Sequence, residues 1–227
     1  ITDQCPDSEV IELSEKDVLQ KPTDEIDEKT GIYIFDQFKG AAFKQIAKKE
    51  KIYIFSAKCV LAVLIDNISI EADIFHFHNL SMKNILVCFA SITDQIAKER
   101  MKKLINYMGG LFSNGLKNTT THLITEDVFS QKYYFSGERK FKIMTPQWLE
   151  KVWLLHQNFD FKLRADDKYF DKYQLPMFHK LVMTSTGIAS EEKKKIMELV
   201  EKHGGEFNQT MKTAEVKILI MTPKDID

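Results

Sequence analysis

Two stretches of this chain end the same way. "DQIAKERMKKLINYMGGLF" (94–112) and "SEEKKKIMELVEKHGGEF" (190–207) each run a basic amphipathic segment into a Gly-Gly pair. Before each stands a short apolar run and a small-residue turn, "NILVCFASIT" and "KLVMTSTGIAS". Gly109 and Gly204 are 95 residues apart, a period that suits a compact domain repeated in tandem. Strand, helix, glycine stop and second strand make a βαβ-like opening.

The helical periodicity is explicit. Ala97, Met101, Leu104, Ile105 and Met108 form one apolar stripe, and Ile196, Leu199, Val200 and His203 form the other. Glu191 and Glu192 after Ser190 suit a capped N-terminus, where the helix dipole favours carboxylates. Of each glycine pair, one residue is expected to take the left-handed conformation that ends a helix. The other lets the backbone approach a neighbouring strand without a Cβ.

The first repeat continues. "TTHLIT" reads as a strand, and "EDVFSQKYYFSGERKF" as a short helix ending near Gly137, with Phe129, Tyr133 and Phe135 as candidate buried positions. "FKIM" is a further strand. "TPQWLEKVWLLHQ" opens a helix with Thr145 as N-cap and Pro146 in the first turn, and puts Trp148, Val152 and Leu155 on one face. Near the amino terminus "KIYIFSAKCVLAVLIDN" parallels residues 141–157, and "GIYIFD" stands for "TTHLIT". The Gly-Gly helix is missing there. The acidic "SEVIELSEKDVLQKPTDEIDEKT" takes its place and reads as loop or partial helix. Three segments follow: a degenerate or truncated unit at 1–80, a complete one at 81–175, and the amino-terminal half of another at 176–227.

Composition narrows the function. In 227 residues a formal charge of −1 with 29% charged side chains argues against a strong nucleic-acid binder, without excluding a local basic patch. Cys5, Cys59 and Cys88 stand far apart, which implies neither a disulfide framework nor a zinc site, and points to a reducing compartment. No apolar run approaches the ~20 residues that span a bilayer. The chain opens without an initiator Met or signal peptide, as an excised fragment does. His76 and His78 in "FHFH" have strand spacing but no third ligand nearby. "GGLFSNGLK" lacks the GK[ST] ending of a P-loop. No catalytic constellation is present in the sequence, and neither a cofactor nor a metal is implied.

Taken together, "NYMGGLFSNGLKNTTTHLIT", "TPQWLEKVW" and "TSTGIASEEKKKIMELVEKHGGEF" resemble the BRCT repeat, the phosphoprotein-recognition module of DNA-damage and replication proteins. The resemblance implies an α/β fold of tandem BRCT units, each a central parallel four-stranded sheet flanked by three helices. It also implies a phosphate pocket made of a Ser/Thr with its neighbouring amide at the end of the first strand, a cation early in the first helix and a lysine opening the second. A phosphate brings about −1.5 to −2 charges and three acceptor oxygens, which such a set satisfies.

Carried over, the pattern falls on Thr186, Gly187 and Lys193 (or Lys194) in the last segment, where no second-helix lysine follows in the sequence. In the middle segment it falls on Lys132 for the second helix and Lys98 or Arg100 for the first. The hydroxyl position falls on Ala90 or Ser91, with Ser91 the donor of the two. In the leading segment Phe43 stands where Lys132 would be. Plainer readings remain for each: Ser91-x-x-Asp94 is also a capping box, and the lysines of the first helix make an ordinary solvated face. The resemblance implies a non-enzymatic, nuclear scaffold whose partners are phosphorylated proteins, among them the tail of the checkpoint clamp and replication-initiation factors, with no membrane contact. A different class of reading is a DNA-binding module using Lys98, Arg100, Lys102, Lys103 and "GERKFK" on phosphate backbone.

Overall fold

The computed structural model describes residues 11–20, 32–49, 52–65, 75–211 and 215–222. Seven α-helices and ten strands lie in the described residues: α1 Glu15–Gln20, β1 Ile32–Phe35, α2 Ala41–Ile46, β2 Tyr53–Ser56, α3 Ala57–Ile65, β3 His76–Phe77, β4 Leu86–Phe89, α4 Gln95–Tyr107, β5 Leu111–Ser113, β6 His122–Ile124, α5 Gln131–Glu138, β7 Lys142–Met144, α6 Pro146–Leu155, β8 Val182–Ser185, α7 Ser190–Lys202, β9 Glu206–Phe207 and β10 Ile218–Ile220. They form three sheets, ordered β1-β2-β3, β5-β4-β6-β7 and β10-β8-β9. The pairings β1/β2, β2/β3, β6/β7, β8/β9 and β8/β10 are parallel. The fold is α/β with parallel sheets, as the strand–helix alternation predicts.

By compactness the chain divides into two units. One holds Ile1–Val87, Asp94–Ser113 and Leu149–Tyr169; the other holds Cys88–Thr93, Asn114–Trp148 and Phe170–Asp227.

In the first unit an aromatic cluster packs around α2. Phe43 is buried, stacked on Phe38 with centroids 4.7 Å apart, and Tyr107 packs edge-on against both. Upstream, Ser14 and Asp17 exchange hydrogen bonds at the start of α1, Ser14 N–H donating to Asp17 Oδ2 (2.9 Å) and Asp17 N–H to Ser14 Oγ (3.3 Å). The acidic stretch is thus helical over Glu15–Gln20 and non-helical over 11–14; residues 8–10 and 21–30, with Cys5, lie outside the described residues. The expected stripe of α4 is buried at Met101, Leu104, Ile105 and Met108. His78, following β3, is buried between Phe38 (5.2 Å) and Trp153 (4.8 Å), a packing role. Among the described residues no group of acidic, His or Cys side chains is arranged to hold a metal. No described helix is long and apolar enough to cross a membrane.

Both glycine pairs close their helices by one mechanism. Gly109 (φ +73°) donates to Asn106 O and Gly110 to Ile105 O, each at 2.9 Å; Gly204 (φ +82°) donates to Glu201 O and Gly205 to Val200 O. These are the two bonds of a Schellman stop. The second glycine's close approach is not to a strand: a Cβ on Gly110 would lie 3.0 Å from Ile105 Cγ2 and Met82 Cβ, and one on Gly205 2.8 Å from Val200 Cγ1. The bare backbone packs against its own helix and the segment before the first strand.

In the second unit several sequence expectations need correcting. Phe129 and Phe135 are exposed, while Tyr133 joins the cluster of Cys88, Ala90 and Leu123 and Ser136 is buried in α5. Helix α5 runs through Gly137 to Glu138 and breaks at Lys140, whose φ is +57°. On α7, Leu199 and His203 face outward, and Ile196, Met197 and Val200 pack with Phe207. A helical period marks a stripe without fixing which of its flanks the core reaches. Ser190 does not cap α7: the cap position is Ala189, without a side-chain bond. Thr145 turns its hydroxyl to Tyr173 O (3.2 Å). That contact belongs to a connector that adds itself to β7. Thr145 N–H donates to Tyr173 O, Leu175 N–H to Ile143 O, and Met144 bridges antiparallel to Gln174. Trp148 is fully buried, stacked flat on His122 at 4.9 Å.

Candidate functional site

Ser91 leaves the end of β4 with φ +54°, unusual for a residue with a Cβ, and is exposed. Its hydroxyl donates to Asp127 Oδ2 at 2.7 Å. It does not cap α4. Asp94 does, accepting from the N–H groups of Ile96 and Ala97, so the capping-box reading of Ser91 falls.

Lys132 stands in the first turn of α5, whose cap is Ser130 Oγ accepting from Tyr133 N–H. Its ammonium reaches back to the same strand end, donating to Phe89 O and Asn114 O (2.8 Å each) and lying 3.5 Å from Cys88 Sγ. Lys132 and Ser91 both belong to the second unit, Lys132 bonding to the last residue of β4 and Ser91 following that strand. Asp127, which no motif flagged, is fixed between them in sequence: its Oδ1 accepts from Phe129 N–H (2.8 Å) and its own N–H donates to Thr125 Oγ1 (3.0 Å). An Asp in a short polar loop is a common turn residue, so nothing in the sequence distinguishes this one.

At the matching end of β8, Thr186 and Gly187 are exposed and Gly187 has φ +66°. Thr186 N–H donates to Ile220 O (3.0 Å), and its hydroxyl has no partner among the described residues. Lys193, in the first turn of α7, donates to Gln209 O (3.1 Å) with its ammonium 6.0 Å above the Phe207 ring. Lys194 is exposed.

Lys98 and Arg100 lie on α4, in the first unit. Arg100 pairs with Glu150 (2.8 Å), and Lys102 pairs with Glu99 (2.8 Å) while covering Phe112. Lys102 lowers the Glu99 pKa through this bond. In the "GERKFK" stretch Arg139 donates to Asn118 and Lys142 pairs with Asp171. The basic runs are largely consumed by local partners.

A strand end, a left-handed turn, a helix N-terminus and a lysine occur twice. A family profile described as a twin BRCT domain matches residues 85–148. Rad4 BRCT1,2, crystallised in complex with a Crb2 phosphopeptide, is similar at 28% identity with a TM-score of 0.57, over 63% of this chain and 78% of that one. Residues 85–148 match the BRCT repeat. Among curated proteins, human protein ECT2 is 27% identical over 127 residues, which is 56% of this chain and 14% of that protein. The S-M checkpoint control protein rad4 of Schizosaccharomyces pombe is 28% identical over 131 residues, 56% of this chain and 19% of that protein. These matches span less than a fifth of either relative's length.

Proposed function

We propose that this chain is a non-enzymatic BRCT-repeat scaffold that reads phosphorylated Ser or Thr in partner proteins. The observation that carries this is the exposed left-handed turn of Thr186 and Gly187 at the end of β8, followed by Lys193 in the first turn of α7, an outline repeated at β4 by the Ser91 turn and Lys132. A hydroxyl, an amide at a turn before a helix and a cation are what a phosphate's oxygens require. Each charge-assisted bond contributes about 1.5–3 kcal/mol, so losing one weakens binding by roughly tenfold or more. The phosphopeptide in the similar Rad4 BRCT1,2 structure supports the class of ligand.

The unit boundaries we propose are 1–80, 81–175 and 176–227. A degenerate unit followed by more complete ones is similar to the amino-terminal triple BRCT region of the topoisomerase II-binding protein. With the checkpoint relative rad4, this supports a nuclear role in replication initiation and damage-checkpoint signalling, with partners such as a phosphorylated clamp tail or phosphorylated initiation factors.

The DNA-binding reading is weaker, since Arg100, Lys102 and Lys142 are neutralised by carboxylates of their own chain. The deciding experiment is a titration with a labelled degenerate phosphothreonine peptide pool, its unphosphorylated counterpart and a DNA duplex across salt. Phosphate-dependent binding lost in Thr186→Ala supports the proposal. Equal binding to both peptide pools, with a steep salt slope on DNA, would overturn it.

A further inference from the structure

The two strand ends correspond in their bonding but not in their chemistry. Ala90 N–H donates to Ile124 O (3.1 Å) as Thr186 N–H donates to Ile220 O (3.0 Å), and the next residue is left-handed in both, Ser91 at +54° and Gly187 at +66°. Ala90 is therefore the counterpart of Thr186, and Ser91 of Gly187. The middle repeat has a buried methyl where the last has a hydroxyl without a partner among the described residues. Its own hydroxyl has moved one residue along, onto a backbone conformation that a glycine would adopt more easily. That hydroxyl is not idle: Asp127 Oδ2 accepts from it at 2.7 Å, and Phe129 N–H fixes the other carboxylate oxygen.

An incoming phosphate at Ser91 meets this carboxylate. Two like charges in one small site oppose each other, and the hydroxyl proton is already engaged. Lys132 is likewise occupied by Phe89 O and Asn114 O. Among the described residues no such carboxylate is bonded to the Thr186 hydroxyl. We propose that Asp127 is the specificity-determining residue of the middle repeat: its charge turns phosphate away from Ser91 and Lys132 and leaves phosphopeptides to Thr186, Gly187 and Lys193. This rests on the phosphopeptide-reading function proposed above.

The test uses the whole chain and fluorescence polarisation with the labelled phosphothreonine pool and its unphosphorylated counterpart. Four proteins are compared: wild type, Thr186→Ala, Thr186→Ala/Asp127→Asn, and the latter with Lys132→Glu. The Asp127→Asn change removes the charge and keeps an oxygen for Phe129 N–H. Asp127→Ser, which removes it with a different shape, must behave alike, and thermal unfolding checks that each variant is folded. Thr186→Ala is expected to lose phosphate-dependent binding. Adding Asp127→Asn restores it by about tenfold or more, and Lys132→Glu abolishes the gain. A double variant no tighter than Thr186→Ala overturns the role of Asp127, while the loss caused by Thr186→Ala still upholds the reading of the last repeat. Phosphate dependence that arises only when Asp127 is changed upholds Asp127 and overturns Thr186.

Discussion

The Lys58 ammonium donates to Phe161 O across 2.6 Å and to Asn158 O across 3.2 Å, tying the start of α3 to the loop after α6 within the first unit. Burial, with the like charge of Lys162, lowers its pKa. Changing Lys58 to Met keeps the stem and strands two carbonyls. A loss of about 1–3 kcal/mol is expected, read as a lower urea midpoint of the full chain. An unchanged midpoint would mean that water replaces the ammonium at no cost.

His78 and His156 sit near that lysine. Burial pushes both down to about 4, with the Lys58 charge adding to it. Unfolded histidines protonate near 6.5, so between about 6.5 and 4 the unfolded chain binds more protons than the folded one. Stability is therefore fully present above pH 6.5 and falls as the pH drops through that window. The urea midpoint should be lower at pH 5 than at pH 7, and the gap should shrink in His78→Phe. Identical midpoints at the two pH values would contradict this.

Two glycines should respond in opposite directions to alanine. Gly204 has φ +82°, and its Cβ would lie 2.5 Å from Pro176 Cβ, so Gly204→Ala should cost at least about 1–2 kcal/mol. Gly137 lies inside α5 with open space around it, so Gly137→Ala should gain about 0.5–1 kcal/mol from helix propensity. Differential scanning calorimetry on both variants checks the signs.

On α7, Lys193 turns toward Gln209 and Phe207 at the strand end, and Lys194 is exposed. Lys193→Ala should weaken phosphopeptide binding about tenfold and Lys194→Ala hardly at all. Equal losses from both would point to a diffuse electrostatic contribution rather than a site.

What the sequence disclosed and what it hid follow from the range of the forces involved. The Gly-Gly stops were legible because a Schellman closure uses only bonds within six residues, and Gly109 and Gly204 are its left-handed members. The resemblance singled out Lys132, and the structure places it in the first turn of α5. Whether Ala90 or Ser91 holds the hydroxyl position was not legible, because a small-residue turn has no periodicity to fix its register. The bond from Ala90 N–H to Ile124 O, 34 residues away, decides it. Asp127 was hidden for the same reason: its partner lies 36 residues upstream. Phe129 and Phe135 read as core from composition alone, yet the turn at Ser130 leaves only Tyr133 facing inward.

The connector on β7 has a practical consequence. Ile143 O and Thr145 N–H are satisfied by Leu175 and Tyr173, so the edge of the middle sheet is sealed by residues well beyond the end of α6. Any recombinant piece trimmed at the end of α6 would carry an open, adhesive border. The shortest soluble piece bearing the middle sheet therefore has to run through Leu175.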